Sequence, residues 1–246
     1  MNFNIENKKV MITGSSGGIG KALSKKFIEL GGKIIFTSSN TETLNILKNQ
    51  YGLDHSYYIL DLLKIDFLIE NIKLISEENK NIDILINNAG ITKDNLVLRM
   101  KPEQWTDVIN VNLNSNFYII KSVLLNMLKN KNGKILGISS VVASTGNPGQ
   151  ANYTASKSGM IAMYKSIALE IAQRNINVNL ISPGFIQSAM TDKLNEEQKK
   201  IIMDKIPMKK FGNAEDIANL AAFLVSDYAT YITGQTFHVN GGMLML

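Results

Sequence analysis

Three residues near the middle of the chain could together move a proton: Ser140, Tyr153 and Lys157. Tyr153 and Lys157 stand four apart in YTASKSGMIAMYKSIALEI, a run that reads as a helix. That spacing puts both side chains on one helical face. A free tyrosine titrates near about 10 and is a poor acid or base at neutral pH. A lysine ammonium beside it favours the phenolate and lowers that value, so the pair is a tuned proton donor or acceptor. A Tyr-x-x-x-Lys pair alone recurs by chance, and its weight depends on the rest of the chain.

The second signal is VMITGSSGGIGKAL. Val10 to Ile12 reads as a short buried strand, followed by a glycine-rich turn and a helical pattern through Leu30. Strand, glycine turn and helix let backbone N–H groups approach a pyrophosphate at a helix N-terminus. The glycines Gly14, Gly18 and Gly20 are spaced G-x-x-x-G-x-G, not the G-x-G-x-x-G of the common dinucleotide fingerprint. A tight turn with no ligand is the alternative.

The elements that must position these residues alternate along the chain. Strand-like runs fall at Lys9–Ile12, Lys33–Thr37, Ser56–Ile59, Ile82–Asn87, Gly133–Ser139, Asn177–Ser182 and Thr236–Val239. Helical patterns lie between them at Ile19–Leu30, Thr41–Gln50, Leu62–Glu78, Pro102–Lys129, Ala151–Arg174 and Ala214–Val225. Repeating βα units predict an α/β fold: a doubly wound parallel sheet of about seven strands with helices on both faces. There is no internal repeat, low-complexity tract or linker, so 1–246 is expected to be a single domain. The polar, helix-prone segment 186–208 reads as a lid over a substrate site, with an ordinary surface helix pair as the alternative.

Composition narrows the chemistry. The chain has no cysteine, which removes disulfides, thiolate zinc sites and cysteine nucleophiles. Its two histidines, His55 and His238, sit in no catalytic pattern and read as structural or surface residues, and no metal site is expected. No apolar run approaches a membrane span and MNFNIENKK is unlike a signal peptide, so the expected location is cytoplasmic. The net charge of +5 comes from scattered lysines, with Arg99 and Arg174 as the arginines. Nucleic-acid readers lean on arginine, so this field suits acidic small partners instead.

In a dinucleotide site, an acidic residue at the end of the second strand binds the ribose hydroxyls and marks NAD. Here that place reads Phe36-Thr37-Ser38-Ser39-Asn40. Small hydroxyl residues leave room for a 2′-phosphate, which predicts NADP(H).

Together these residues resemble the short-chain dehydrogenase/reductase family over essentially the whole chain. The likeness includes Asn87-Asn88-Ala89-Gly90, Asn112 in NVNLNSNF, Ser140 thirteen residues before Tyr153, and Pro183-Gly184. Within that family, NNAGITKDNL, NPGQANYTASK, SPGFI and YITGQTFHVNGGM resemble bacterial 3-oxoacyl-[acyl-carrier-protein] reductases. The resemblance implies NADPH-dependent reduction of 3-oxoacyl-carrier thioesters to 3-hydroxyacyl products in fatty-acid synthesis. It implies that Tyr153 gives a proton, Lys157 lowers the tyrosine pKa and holds the nicotinamide ribose, Ser140 holds the substrate carbonyl, and Asn112 holds a water.

For the cofactor, the resemblance implies contacts from Gly14, Ser16, Gly18, Ile19, Gly20 and Thr37, and an adenine contact from Asp61, whose alternative is a helix N-cap. It adds Asn87, Ala89 and Gly90 as a wall, and Pro183, Gly184, Ile186 and Ser188 toward the carboxamide. One departure stands out: NADP-preferring relatives often carry a basic residue where this chain has Gly17. The family further implies a homotetramer through the two long helices and the last strand. It implies contacts from Lys129, Lys131 and Arg174, near the site mouth, to the acidic acyl carrier protein. An enoyl reductase fits less well, because that branch spaces its tyrosine and lysine more widely than four.

Overall fold

The structure, a computed structural model, describes residues 3–188, 191 and 195–246. Seven strands form one sheet among the described residues: β1 (Lys9–Ile12), β2 (Lys33–Ser38), β3 (Ser56–Ile59), β4 (Ile84–Asn87), β5 (Gly133–Ile138), β6 (Ile176–Pro183) and β7 (Thr236–Val239). Their order is β3-β2-β1-β4-β5-β6-β7, every pair parallel. Val10 pairs with Ile34 on one side and Ile84 on the other, which fixes the register at the centre.

Parallel strands buried on both faces read as continuous apolar runs, which is why β5 and β6 are buried along their whole length. Successive side chains still alternate between two cores. Val10, Ile12, Ile34 and Phe36 face α1 (Gly18–Glu29), α2 (Thr41–Tyr51) and α9 (Ala214–Leu224). Met11, Ile35, Leu85 and Ile135 face α3 (Ile65–Asn79), α5 (Ser115–Asn130) and α7 (Ala151–Ile171). Between β1 and β4 the winding reverses, and a crevice opens there at the C-terminal ends of the strands.

Two expected elements differ in detail. The pattern at Pro102–Lys129 is not one regular helix: α4 (Pro102–Ile109) and α5 are joined by a π-helical turn, Asn110–Asn114, in which the Ser115 N–H donates to the Asn110 carbonyl. A π turn inserts one residue without ending the helix, so apolar periodicity does not reveal it. The helix expected from Leu62 starts at Ile65, because Asp61 Oδ1 accepts from the Leu63 N–H and makes a tight turn first. Asp61 is therefore not the N-cap, a position held by Lys64. The remaining helices are the short α6 (Val142–Thr145) and α8 (Glu196–Asp204). Of the expected lid, 189–190 and 192–194 lie outside the described residues.

Candidate active site

The crevice has a volume of about 1400 Å³ and is built almost wholly by loops that follow β-strands. After β1 the chain turns at Gly14 (φ +64°), a left-handed conformation that disfavours other residues. A side chain at Gly20 would run into the Gly14 carbonyl, so the first turn of α1 lies directly on the loop. Gly17 caps the helix in extended conformation (φ −76°), and a Cβ there would meet only the Gly14 carbonyl at 3.6 Å. Gly14, Ser16, Gly18, Ile19 and Gly20 all line the crevice, and the first N–H groups of α1 have no partner within the helix.

A polar clamp holds this loop to the end of β4. Thr13 Oγ1 accepts from the Asn88 and Ala89 N–H groups at 3.0 and 3.1 Å. Asn88 Nδ2 donates to the carbonyls of Thr13 and Gly14. Asn88, Ala89 and Gly90 line the crevice, but Asn87 does not. The Asn87 side chain turns into the core, where Nδ2 donates to the Tyr164 hydroxyl at 2.8 Å. Its expected place on the crevice wall is taken by Asn88, which the sequence reading missed. Strand alternation requires one of the two to face inward without saying which.

Thr37, Ser38 and Ser39 line the far end of the crevice, with Asp61 close by. Asp61 forms an ion pair with Lys64 at 3.6 Å. Lys21, in the first turns of α1, also lines the crevice. At the opposite end stand Pro183, Gly184 and Ile186, while Ser188 reaches back to the glycine loop, 3.8 Å from where a Cβ on Gly18 would sit. Gly184 packs against Asn240, with no room for a side chain. Ser188 and Thr191 clasp each other: the Ser188 N–H donates to Thr191 Oγ1 at 2.8 Å, and the Thr191 N–H to Ser188 Oγ at 3.4 Å.

Between these ends Ser140, Tyr153 and Lys157 meet. Ser139 and Ser140 divide as strand alternation requires. The buried Ser139 hydroxyl donates to the Lys157 carbonyl at 3.3 Å and fixes α7 to β5. Ser140 Oγ accepts from the Val142 N–H at 3.4 Å and stands near the Tyr153 phenol. Burial pushes the Tyr153 pKa up, Ser140 opposes this, and the Asp94 charge adds to the rise. Lys157 lies 5.8 Å from the Tyr153 ring centroid, and its ammonium donates to the Ile138 carbonyl at 2.7 Å. The ammonium is turned to a backbone carbonyl, and burial is the largest influence on the tyrosine. Burial also lowers the Lys157 pKa to about 8.

Asn112 sits in the π turn, fully buried and outside the crevice lining. Its Oδ1 accepts from the Ile91 N–H, and Nδ2 donates to the Ile91 carbonyl and to Ser156 Oγ. The side chain is therefore spent on holding a loop. A water on Asn112 would use the main-chain carbonyl, which also accepts from Asn116 Nδ2 at 3.0 Å.

Lys129, Lys131 and Arg174 are not at the mouth of this crevice. Lys129 and Lys131 close α5 just before β5 begins, and Arg174 stands just before β6. All three lie at the end of the sheet where the strands start, opposite the crevice. The reading of them as mouth residues followed sequence likeness and ignored the direction of the strands.

The donor set fits a dinucleotide. Helix N–H groups without a partner in the helix line the crevice at the glycine loop, hydroxyls stand at one end, and a buried lysine stands between the ends. The closeness of Gly90 to the catalytic candidates also keeps the floor open: a Cβ there would lie 3.3 Å from Asn112 Oδ1 and 3.4 Å from Lys157 Nζ.

The chain is similar to known proteins along essentially its whole length. A family model described as enoyl-(acyl carrier protein) reductase matches residues 14–244. The 3-oxoacyl-[acyl-carrier-protein] reductase FabG of Rickettsia felis is 49% identical over 248 residues, covering 99% of this chain and 100% of the relative. The reductase of the same name from Buchnera aphidicola of Acyrthosiphon pisum is 46% identical over 244 residues, and that of Vibrio cholerae 42% over 244, each covering 99% of this chain and 100% of the relative. Matched from end to end by such relatives, and with a tyrosine, a lysine and a serine gathered over a glycine-turn crevice, the chain belongs to the short-chain dehydrogenase/reductase family.

Proposed function

We propose that the protein is an NADPH-dependent 3-oxoacyl-[acyl-carrier-protein] reductase of cytoplasmic fatty-acid synthesis. The observation that carries this is the meeting of Ser140, Tyr153 and Lys157 in one crevice, in a chain that matches 3-oxoacyl reductases over its full length. NADPH supplies a hydride to the 3-oxo carbon, and the protein supplies everything else. The raised phenol of Tyr153 is protonated at neutral pH and gives its proton to the oxygen. Ser140 donates to the same oxygen as charge develops there. Lys157, released from the Ile138 carbonyl, faces the phenolate that remains and holds the nicotinamide ribose. Asn112 keeps the Ile91 loop in place and offers its main-chain carbonyl to a water.

Cofactor contacts follow the crevice. The N–H groups of Gly18, Ile19 and Gly20 receive the pyrophosphate, with Gly14 and Ser16 beside it. Asp61 meets the adenine, and Thr37, Ser38, Ser39 and Lys21 surround the 2′-phosphate. Ala89 and Gly90 wall the middle, with Asn87 supporting them from the core. Pro183, Gly184, Ile186 and Ser188 receive the carboxamide. The chain acts as one domain, with the described parts of 186–208 forming the rim of a substrate lid. Ile186, Ser188, Thr191 and Ile202 of that segment line the crevice, which supports this reading.

The description of the family model raises enoyl reduction as the second reading. The four-residue step from Tyr153 to Lys157 argues for the ketone instead. The test follows NADPH and NADH oxidation with a 3-oxoacyl thioester on carrier protein and on coenzyme A, beside a trans-2-enoyl thioester. Fast NADPH oxidation on the 3-oxoacyl carrier substrate is expected, and its loss by about a thousandfold or more in Tyr153→Phe. Turnover of the enoyl thioester alone, or undiminished activity in Tyr153→Phe, overturns the reading.

A further inference from the structure

Tyr164 is fully buried on α7, seven residues after Lys157 and therefore on the same helical face. Its hydroxyl is the centre of a hydrogen-bonded chain that crosses the core. Asn87 Nδ2, at the end of β4, donates to it at 2.8 Å, and it donates to Asn116 Oδ1 on α5 at 3.1 Å. Asn116 Nδ2 then donates to the Asn112 carbonyl in the π turn. Asn112 in turn grips Ile91 and Ser156 through its side chain.

Every donor between Asn87 and the Asn112 carbonyl points toward Asn112, so the bonds polarise one another in one direction. Asn87, Asn116 and Tyr164 are each at most 3% exposed. Placing a hydroxyl and two amides in a core costs free energy unless each finds partners, and apolar residues would pack there without that requirement. The ring itself is wedged over Gly137 of β5, where a Cβ would approach it to 2.7 Å, so the hydroxyl has little freedom to move. The far end of the chain reaches the reaction: Asn112 Oδ1 and Lys157 Nζ both border the space above Gly90.

We propose that Tyr164 is a positioning residue, acting through Asn116 to fix the Asn112 carbonyl and, through it, the ground on which Lys157 works. This rests on the reading of the crevice as a reductase site. The chain ties β4, α5 and α7 to the π turn, which otherwise lacks regular helical bonding at its centre.

Tyr164→Phe keeps the ring and deletes the hydroxyl, leaving Asn87 Nδ2 and Asn116 Oδ1 without that partner. Small misplacement of catalytic groups is costly, so kcat is expected to fall about tenfold and its pH profile to move, with KM and NADPH affinity changed less than about twofold. Asn116→Ala breaks the chain one step later and should give the same fall. The double variant should be no worse than either single one, since the residues act as one unit. The wild-type assay reports separately on the reductase reading. If wild type reduces no 3-oxoacyl thioester, that reading fails, and carbon-13 NMR of labelled lysine still tests the inference. Lys157, identified by its loss in Lys157→Met, should then titrate at a different pH in Tyr164→Phe. In an active enzyme, an unmoved pH profile with unchanged kcat in both folded single variants overturns the inference, as does additivity in the double variant. In an inactive one, an unmoved Lys157 titration does so.

Discussion

Lys157 shows how an active-site group is held against its own preference. It is 3% exposed, and its ammonium has one backbone carbonyl as partner. Burial lowers its pKa to about 8 from 10.5. In the unfolded chain it keeps the ordinary value, so between those two values the unfolded state binds more protons and stability rises with pH. Below about 8 both states are protonated and the full penalty of the buried charge is present. Lys157→Met should therefore stabilise the cofactor-free protein at pH 7, on the order of 2 kcal/mol after the lost hydrogen bond is offset. Its advantage over wild type should shrink as pH rises through the window from about 8 to 10.5. Denaturant unfolding of both proteins at several pH values measures this. At this scale the sequence told much: the i,i+4 pair and the serine were legible from spacing. The acidity of Tyr153 was not, because it comes from burial by residues far away in the chain.

At the scale of elements, the strands were readable because a doubly covered parallel sheet makes each of them an apolar run. The π turn was not, since the helical pattern continues through it and no residue type in Asn110–Asn114 marks a single inserted residue. The inward turn of Asn87 also needed the neighbouring strands to decide it. Helix α1 offers one cation to the proposed phosphate site. Lys21 stands four residues after Gly17, on the same side of the helix. It lines the crevice together with Thr37, Ser38 and Ser39. Lys21→Gln should weaken NADPH binding about tenfold and leave NADH binding nearly unchanged, because only one of them carries the extra phosphate. Fluorescence titration of both cofactors decides it. Equal weakening of the two would remove Lys21 from the phosphate site.

For the whole molecule, the outer faces of the long helices are unusual. On α7, Ala155, Ala162, Ser166 and Leu169 are exposed beside the charged Lys165 and Glu170, and Leu169 is 86% exposed. On α5, Phe117 and Leu125 are exposed as well. Lys121 and Lys129 alternate with these two along the same face, and large apolar side chains exposed among charges suit a surface that meets another chain. The sheet also ends on β7, whose outer edge is unpaired, and an open edge invites a second chain. We propose that these faces and the last strand join copies of this chain, as the family resemblance implies for a homotetramer. Leu169→Glu is expected to shift the protein to a smaller species in analytical ultracentrifugation. Activity should fall with it, since the same helix carries Tyr153 and Lys157. An unchanged sedimentation profile would place the interface elsewhere. No helix among the described residues is long and apolar enough to cross a membrane.

The extended backbone at Gly17 has a historical meaning. Gly14 and Gly20 are bound to their identity by conformation and contact, so drift at either is punished by the fold itself. Position 17 is under no such discipline, because its φ suits any residue and a Cβ there touches nothing closely. Its occupant is thus free to change with cofactor chemistry alone. A chain that keeps a cation one turn further along the helix can lose the cation at 17, and the scaffold registers no difference.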